Sequence, residues 1–303
     1  MQIAMVGLGR MGLNMARRLA RKGHQVVGYD LLQEKARDFA KDEGGDYAPS
    51  LSELVQKLIA PRIVWLMLPA HLVDGQLTEI IDLLEPGDMV VEGGNSYYKD
   101  DLRRSPKFEE KGIFYLDAGV SGGIWGLENG YCIMVGGPKQ GFDHIEPLLA
   151  DLTTPEGYLY TGPTGSGHFV KMIHNAIEYG MMQALAEGFD LMKAGPYGEH
   201  HDFAAICHLW MRGSVVRSWL VELLESAFRQ DPKLADLAGY VEDSGEGRWS
   251  VLQAVESATN APVITLSLMN RFRSRQDETF GDKILAALRQ GFGGHAVKKP
   301  GQT

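Results

Sequence analysis

Short apolar runs alternate with segments of helical spacing through the first half of the chain. The apolar runs predict six strands, over residues 3–7, 25–30, 62–68, 89–92, 113–116 and 131–135. Helical spacing follows the first two of them, over residues 12–22 and 33–41. Such alternation, with glycine or proline at most strand ends, is typical of a mostly parallel sheet covered by helices on both faces.

The pattern changes at a glycine-rich stretch that comprises Gly157, Gly162, Pro163, Gly165 and Gly167. Beyond it the spacing is helical, over residues 169–193, 203–228, 251–259 and 263–273. The Gly- and Lys-rich tail, residues 291–303, is expected to be extended. The sequence therefore predicts an α/β fold. An N-terminal Rossmann domain with a doubly wound sheet, residues 1–162, is followed by an all-α domain, residues 163–303.

The composition agrees with two domains and argues against nucleic acid as a partner and against a membrane span. The chain has 303 residues, of which 44% are hydrophobic and 23% charged. Its 30 basic and 39 acidic residues give a formal net charge of −9, which argues against a nucleic-acid partner. The apolar run at residues 63–70 contains Pro69 and falls far short of the roughly 18–20 residues of a membrane span.

The chain termini and the cysteines favour a cytoplasmic protein. The first residues lack the basic region and the cleavage site of a signal peptide, so none is expected. Cys132 and Cys207 lie far apart and outside any C-x-x-C pattern. We therefore expect neither a disulfide framework nor a metal site.

A glycine-rich loop separates the first predicted strand from the first helix. Its sequence is Gly7-Leu8-Gly9-Arg10-Met11-Gly12, which is G-x-G-x-x-G. In this context Gly7 permits a tight turn, Gly9 lets the backbone approach a pyrophosphate, and Gly12 allows close helix–strand packing. The helix N-terminus would bind the phosphates through its free N–H groups. The loop predicts a dinucleotide site.

Asp30 ends the second predicted strand, where an acidic side chain accepts hydrogen bonds from the ribose hydroxyls of a dinucleotide. A carboxylate at this position repels a 2′-phosphate, and Leu31-Leu32 supply no cation. The sequence therefore predicts NAD as the cofactor, with NADP weaker.

A polar stripe marks the first long helix of the second half. It consists of Lys171, His174, Asn175, Glu178 and Tyr179, at positions i, i+3, i+4, i+7 and i+8. The rest of this helix is largely apolar, which indicates burial, and a buried polar stripe needs partners that a ligand cleft supplies. A lysine in a partly desolvated cleft has a lowered pKa and acts as a general base, with a glutamate as the matching acid.

Four segments together resemble the decarboxylating 6-phosphogluconate dehydrogenases of the β-hydroxyacid dehydrogenase superfamily. They are Gly7–Gly12, Glu92-Gly93-Gly94-Asn95-Ser96, Asp117-Ala118-Gly119-Val120-Ser121-Gly122-Gly123 and Lys171-Met172-Ile173-His174-Asn175-Ala176-Ile177-Glu178-Tyr179. Hydroxyisobutyrate and tartronate semialdehyde reductases typically have Asn-Asn at His174-Asn175. The chain resembles the short form of the family, which lacks a duplicated helical domain.

The resemblance implies oxidative decarboxylation of 6-phosphogluconate to ribulose 5-phosphate and CO2 with reduction of NAD(P). It implies that Lys171 takes the proton of the substrate's 3-hydroxyl and that Glu178 supplies the proton at C1. The implied carboxylate ligands are Ser121, Gly122 and Gly123. The implied hydroxyl ligands are Asn95, His174 and Asn175, of which Asn95 also faces the cofactor.

For the substrate phosphate the resemblance implies Tyr179 and Arg271. The family's phosphate-binding lysine is replaced by Ser244, and Arg248 occupies the place of a later lysine. Arg289 and His295 match an Arg and a His that enter the active site of the neighbouring subunit. The resemblance thus implies a homodimer or homotetramer whose C-terminal tail reaches the neighbour's site.

Two other hypotheses stay open at this point. One is a non-decarboxylating NAD-dependent β-hydroxyacid dehydrogenase, which release of CO2 would distinguish. The other is a cofactor-binding regulatory protein without turnover, against which the presence of both Lys171 and Glu178 argues.

Overall fold

The computed structural model describes residues 1–293 together with 296 and 298. The chain divides into two compact units, Met1–Asn175 and Ala176–Thr303. The boundary along the chain falls within one long helix. The predicted domain limits, 1–162 and 163–303, stay a prediction.

The first unit is built on a single sheet of eight strands. Its strands are β1 (Gln2–Val6), β2 (Gln25–Tyr29), β3 (Asp46–Tyr47), β4 (Ile63–Leu66), β5 (Met89–Glu92), β6 (Phe114–Ser121), β7 (Tyr131–Gly136) and β8 (Thr153–Gly162). The order across the sheet is β3-β2-β1-β4-β5-β6-β7-β8, and all neighbours are parallel except β6 and β7. The predicted doubly wound sheet is confirmed. The chain changes direction across the sheet between β1 and β4, where ligands bind in such folds.

Successive apolar residues along a strand belong alternately to two separate hydrophobic cores. Ile3 and Met5 of β1 belong to one core, whereas Ala4 and Val6 belong to the other. Because successive side chains of a strand point to opposite faces, this places a core on each face of the sheet. The continuous apolar runs of the sequence follow from burial on both faces.

Helices cover the sheet and form the second unit. Those that begin in the first unit are α1 (Arg10–Arg21), α2 (Gln33–Glu43), α3 (Leu51–Gln56), α4 (Ala70–Ile80), α5 (Tyr98–Glu109), α6 (Gly126–Asn129), α7 (Lys139–Leu152) and α8 (Ser166–Ala194). The others are α9 (Phe203–Trp210), α10 (Trp219–Gln230), α11 (Glu246–Glu256), α12 (Pro262–Arg273) and α13 (Phe280–Gly293). The second unit has a small core around Phe189, Cys207, Val221 and Phe228. No helix among the described residues is long and apolar enough to cross a membrane.

Three predicted elements need correction. The helix expected over residues 203–228 is two helices, α9 and α10, separated by a turn in which Gly213 has a φ of +83°. The glycine-rich stretch from residue 157 includes the second part of β8, an edge strand that the sequence did not predict, and edge strands tolerate glycine. The tail expected to be extended from residue 291 is helical as far as Gly293.

Candidate active site

The dinucleotide loop joins β1 to α1 at the carboxyl end of the sheet. Gly7 has a φ of +93°, a conformation that side chains rarely adopt. A Cβ on Gly12 would lie 2.0 Å from the Gly7 carbonyl oxygen, so the helix can start this close to the strand only with glycine. A Cβ on Gly9 would meet nothing within 4 Å. Leu8 lies between these glycines, and Arg10 and Met11 begin α1. The open space at Gly9 fits a pyrophosphate.

Asp30 is bonded to the same loop. Its Oδ2 accepts a hydrogen bond from the Leu8 backbone N–H at 2.8 Å, and its Oδ1 accepts from the Leu32 N–H at 2.9 Å. The Lys35 ammonium lies 3.9 Å from Oδ2. A carboxylate has about four acceptor sites, so acceptor capacity remains for ribose hydroxyls. The side chains here fit NAD.

The predicted carboxylate loop follows β6. Ser121 is the last residue of that strand, and Gly122 and Gly123 have φ values of +124° and +55°. Asn14 of α1 donates to the Ile124 carbonyl at 3.2 Å, and Arg18 donates to the Leu127 carbonyl at 2.9 Å. The dinucleotide helix therefore holds the loop by its main-chain carbonyls. Sequence analysis missed both α1 side chains, since nothing local marks them.

Asn95 lies exposed in the loop between β5 and α5. Glu92, at the end of β5, is fully buried, and its Oε1 accepts a hydrogen bond from the Gly94 N–H at 2.8 Å. This bond shapes the loop immediately before Asn95. The carboxyl ends of β1, β5 and β6 thus bring the dinucleotide loop, the Asn95 loop and the carboxylate loop to one edge of the sheet.

Helix α8 carries the polar stripe. The Lys171 Nζ donates to the Asn175 Oδ1 at 2.7 Å, and the His174 Nδ1 lies 3.0 Å from the same oxygen. Because that oxygen only accepts, the His174 Nδ1 donates to it. Lys171, His174 and Asn175 therefore form one polar group. Glu178, partly buried, lies about two turns further along the helix from Lys171.

The first turn of α8 is capped from a remote strand. The Asp117 carboxylate accepts from the Gly165 N–H at 2.6 Å and from the His168 N–H at 2.9 Å. Asp117 is the first residue of the D-A-G-V-S-G-G segment on β6. It therefore positions the helix that carries Lys171, a role that sequence analysis missed.

In the second unit, Tyr179 is the centre of a polar group. The Arg271 guanidinium lies 3.4 Å from the centroid of the Tyr179 ring, and the Tyr179 hydroxyl accepts from the Ser244 N–H at 3.3 Å. Arg271 also donates to the Glu242 carbonyl at 2.7 Å. The structure thus brings together Tyr179, Arg271 and Ser244. Of the remaining predicted residues, Arg289 lies exposed on α13, and His295 lies outside the described residues.

Arg248 forms an ion pair with Asp243. Its Nε lies 2.6 Å from the Asp243 Oδ2 and its NH2 lies 3.1 Å from Oδ1, a bidentate pair. Arg275 contacts the same carboxylate. The Arg248 hydrogen bond, with that of Arg275, lowers the pKa of Asp243 to about 2. Arg248 is therefore already neutralised by a carboxylate.

Known proteins resemble the chain over its whole length. The profile of the NAD-binding domain of 6-phosphogluconate dehydrogenase matches residues 2–162, and that of its C-terminal domain matches residues 167–299. The NAD(+)-dependent, decarboxylating 6-phosphogluconate dehydrogenase of Haloferax volcanii is 41% identical over 302 residues, 99% of each chain. A provisionally named 6-phosphogluconate dehydrogenase of Bacillus subtilis, YqeC, is 47% identical over 299 residues, 99% of this chain and 100% of its own.

A solved structure shares the fold. The Plasmodium falciparum 6-phosphogluconate dehydrogenase superposes with a TM-score of 0.83 at 28% identity. The match covers 100% of this chain but 67% of that longer one, whereas the Haloferax and Bacillus relatives are matched over their full lengths. The chain belongs to the 6-phosphogluconate dehydrogenase family.

Proposed function

We propose that the chain catalyses the oxidative decarboxylation of 6-phosphogluconate to ribulose 5-phosphate and CO2, with NAD preferred over NADP. The observation that carries the proposal is the Lys171–Asn175–His174 group on α8, in a chain whose Asp30 is bonded to the dinucleotide loop. A lysine ammonium or amine held by an amide oxygen is placed for proton transfer.

The loop Gly7–Gly12 and Asp30 would hold the dinucleotide, which would supply the hydride acceptor for oxidation at C3 of the substrate. Lys171 removes the proton of the 3-hydroxyl during that oxidation. A 3-keto acid is left, whose carbonyl is the electron sink for the loss of CO2 from C1. The protonated Lys171 donates to the carbonyl oxygen, which gives the enediol. Glu178 then delivers a proton to the carbon that lost CO2, which is C2 of the substrate and becomes C1 of ribulose 5-phosphate.

The remaining residues bind the substrate. Ser121, Gly122 and Gly123 hold the carboxylate by a hydroxyl and backbone N–H groups. Asn95, His174 and Asn175 hold the hydroxyls, with Asn95 also against the cofactor. Tyr179 and Arg271 hold the phosphate, and the Ser244 backbone lies next to the Tyr179 hydroxyl. Ser244 stands where the family has a phosphate-binding lysine. Arg271 is therefore the cation that this chain supplies to the phosphate.

The decisive assay measures CO2 and NADH together. Equal amounts of CO2 and NADH from 6-phosphogluconate are expected, with a higher kcat/KM for NAD than for NADP. NADH without CO2 would support a non-decarboxylating dehydrogenase of the hydroxyisobutyrate or tartronate semialdehyde type. Absence of turnover with tight NAD binding would support a regulatory protein instead.

We further propose that the chain is a homodimer or homotetramer. Many large apolar side chains of the described part of the second unit are exposed, among them Leu191, Val215, Val255, Val263, Leu266, Phe280, Leu285 and Leu288. Apolar surface on this scale is typical of subunit interfaces. Light scattering should give a multiple of 33.4 kDa, and an active monomer would refute the assembly.

The C-terminal segment that carries Arg289 and His295 is proposed to complete the neighbour's site. Co-expression of Lys171→Met and Arg289→Ala chains tests this exchange. In a mixed dimer one site would combine the intact Lys171 of one chain with the intact Arg289 of the other. Activity should return to about one quarter of the wild type if both pairings form at random. No recovery over the separate variants would show that Arg289 acts within its own chain or not at all.

A further inference from the structure

A group of ionisable side chains is buried in the first unit beneath the start of α8. We call it the His168 cluster, and its members are Glu92, Asp101, Arg104, Tyr115, Asp117 and His168. All of them are at most 4% exposed, and the proposed reaction uses none of them. Groups of this kind are rarely buried unless they are paired.

His168 lies at the centre of this cluster. Its Nδ1 is 2.7 Å from the Asp101 Oδ2 and 3.8 Å from the Glu92 Oε2. Asp101 also accepts a hydrogen bond from the Tyr115 hydroxyl at 2.9 Å. Arg104 NH1 approaches the Glu92 Oε2 to 3.7 Å. The imidazole and the guanidinium therefore share the carboxylates of Glu92 and Asp101.

The carboxylates around His168 hold its imidazole as a cation. Burial lowers the pKa of His168, but the charges of Asp101 and Glu92 outweigh it and raise the pKa to about 10. Burial raises the pKa of the Glu92 carboxyl group, and the charge of His168 opposes that rise. Arg104 donates to the Asp74 Oδ1 at 2.7 Å and lies 4.0 Å from the Asp101 Oδ1, so Asp101 faces both His168 and Arg104.

Three site segments meet at this one residue. Glu92 ends β5 and shapes the loop that carries Asn95. Asp117 lies on β6, the strand that ends at Ser121, and it accepts the backbone N–H of His168. His168 itself lies three residues before Lys171 on α8, so the two side chains share a face of the helix.

We propose that His168 is a positioning residue of the catalytic centre, whose buried ion pair with Asp101 and Glu92 fixes the first turn of α8, and with it Lys171, against the Asn95 loop. The inference rests on the proposed function. Movement of a general base by about 1 Å is enough to lower the rate of a reaction about 100-fold. Asp101 and Glu92 contact His168, so we expect their effect on Lys171 to pass through His168.

The test replaces the cation but keeps a hydrogen-bond donor of similar length. His168→Gln should lower kcat about 10- to 100-fold. The KM for 6-phosphogluconate and the Kd for NAD, measured by calorimetry, should stay within about 3-fold, a shift of less than about 0.7 kcal/mol. A merely structural role would lower the melting temperature without this separation of kcat from KM.

The matched control is a buried ion pair at the opposite end of the strands. The Arg62 NH1 lies 2.9 Å from the Asp88 Oδ2, and Asp88 is 1% exposed, just before β5 begins. Arg62→Gln should lower the melting temperature comparably and leave kcat unchanged. A His168→Gln variant that loses stability as Arg62→Gln does but keeps its kcat would overturn the assignment.

A double-mutant cycle gives the second readout and serves if His168→Gln alone folds poorly. In His168→Gln with Asp101→Asn the uncompensated carboxylate is gone, so a neutral hydrogen-bonded pair can form. The double variant should recover stability and should lose less kcat than the product of the two single effects. Independent, multiplicative losses would refute the ion pair as the positioning element. An inactive wild type refutes the proposed function and this assignment together, whereas an active wild type with an unaffected His168→Gln refutes this assignment alone.

Discussion

Gly119 of β6 lies so close to Lys171 that a Cβ on Gly119 would stand 2.3 Å from the Lys171 Cβ. It would also lie 2.9 Å from the Gly167 carbonyl oxygen. Real Cβ atoms do not approach each other this closely, so β6 and the first turns of α8 can pack only with glycine at this position. The glycine in D-A-G-V-S-G-G therefore positions the proposed base.

Gly119→Ala should displace the helix that carries Lys171. Overpacking of this kind costs about 1–3 kcal/mol of unfolding free energy, and we expect kcat to fall about 100-fold because the base moves. Thermal unfolding and steady-state kinetics measure the two effects. Gly75→Ala on α4 is the control, since a Cβ there meets nothing within 4 Å. Equal behaviour of the two variants would contradict the packing argument.

Lys171→Met should abolish turnover and leave the dinucleotide loop intact. General acid–base catalysis by one group contributes about 10²- to 10⁴-fold, and a loss of kcat in that range is expected. The Kd for NAD, measured by calorimetry, should change little, because the loop and Asp30 are untouched. Lys193→Met, at the exposed end of α8, is the control for removing a lysine from this helix. A Lys171→Met variant with wild-type kcat would remove Lys171 from the mechanism.

Asp30→Ser should reduce the preference for NAD. The carboxylate repels a 2′-phosphate, and it also accepts the N–H groups of Leu8 and Leu32. The variant should therefore raise the KM for NAD about 10-fold, the cost of one charge-assisted hydrogen bond. Its kcat/KM ratio of NAD to NADP should move towards one. Asp38→Ser, exposed on α2, is the control, and an unchanged ratio in Asp30→Ser would argue against the proposed basis of selectivity.

Arg271 and Arg248 should differ sharply in substrate binding. Arg271→Gln removes the cation beside Tyr179, and the KM for 6-phosphogluconate should rise about 10- to 100-fold. Arg248→Gln should change that KM by less than about 3-fold, because Arg248 is neutralised by Asp243. Comparison with a substrate lacking the phosphate isolates the effect. A large KM effect in Arg248→Gln would mean that Arg248 replaces the missing lysine at Ser244.

Asp243 should contribute stability that disappears in acid. Its pKa is lowered from 3.8 to about 2, chiefly by the hydrogen bond from Arg248. A carboxyl group with a lowered folded-state pKa stabilises the fold above its unfolded pKa and loses that contribution as the pH falls through the folded one. Asp243→Asn should therefore lower the free energy of unfolding at pH 7 by about 1–3 kcal/mol. Denaturation should be measured between pH 7 and about pH 2. The difference in unfolding free energy between wild type and variant should shrink as the pH falls from about 4 to about 2.

Local patterns of the sequence determined the main elements of the first unit. The strand over residues 89–92 is as predicted, because a short apolar run buried on both faces can be recognised without knowledge of its neighbours. The loop Gly7–Gly12 likewise combines its strand, turn and helix within a few residues. The stripe from Lys171 to Tyr179 follows from helical periodicity alone, and the resemblance of the four motifs supplied the family that the comparisons confirm.

The supporting contacts were decided only by the tertiary structure. Asp117 caps α8 across 48 and 51 residues of chain, and Asp101 meets His168 across 67. No periodic pattern records such pairings, because the partners lie on different elements that only the fold brings together. The same holds for Arg248, because the sequence alone does not show that Asp243 pairs with its charge. Sequence thus determined which groups carry the proposed chemistry, and long-range packing determined what holds them in position.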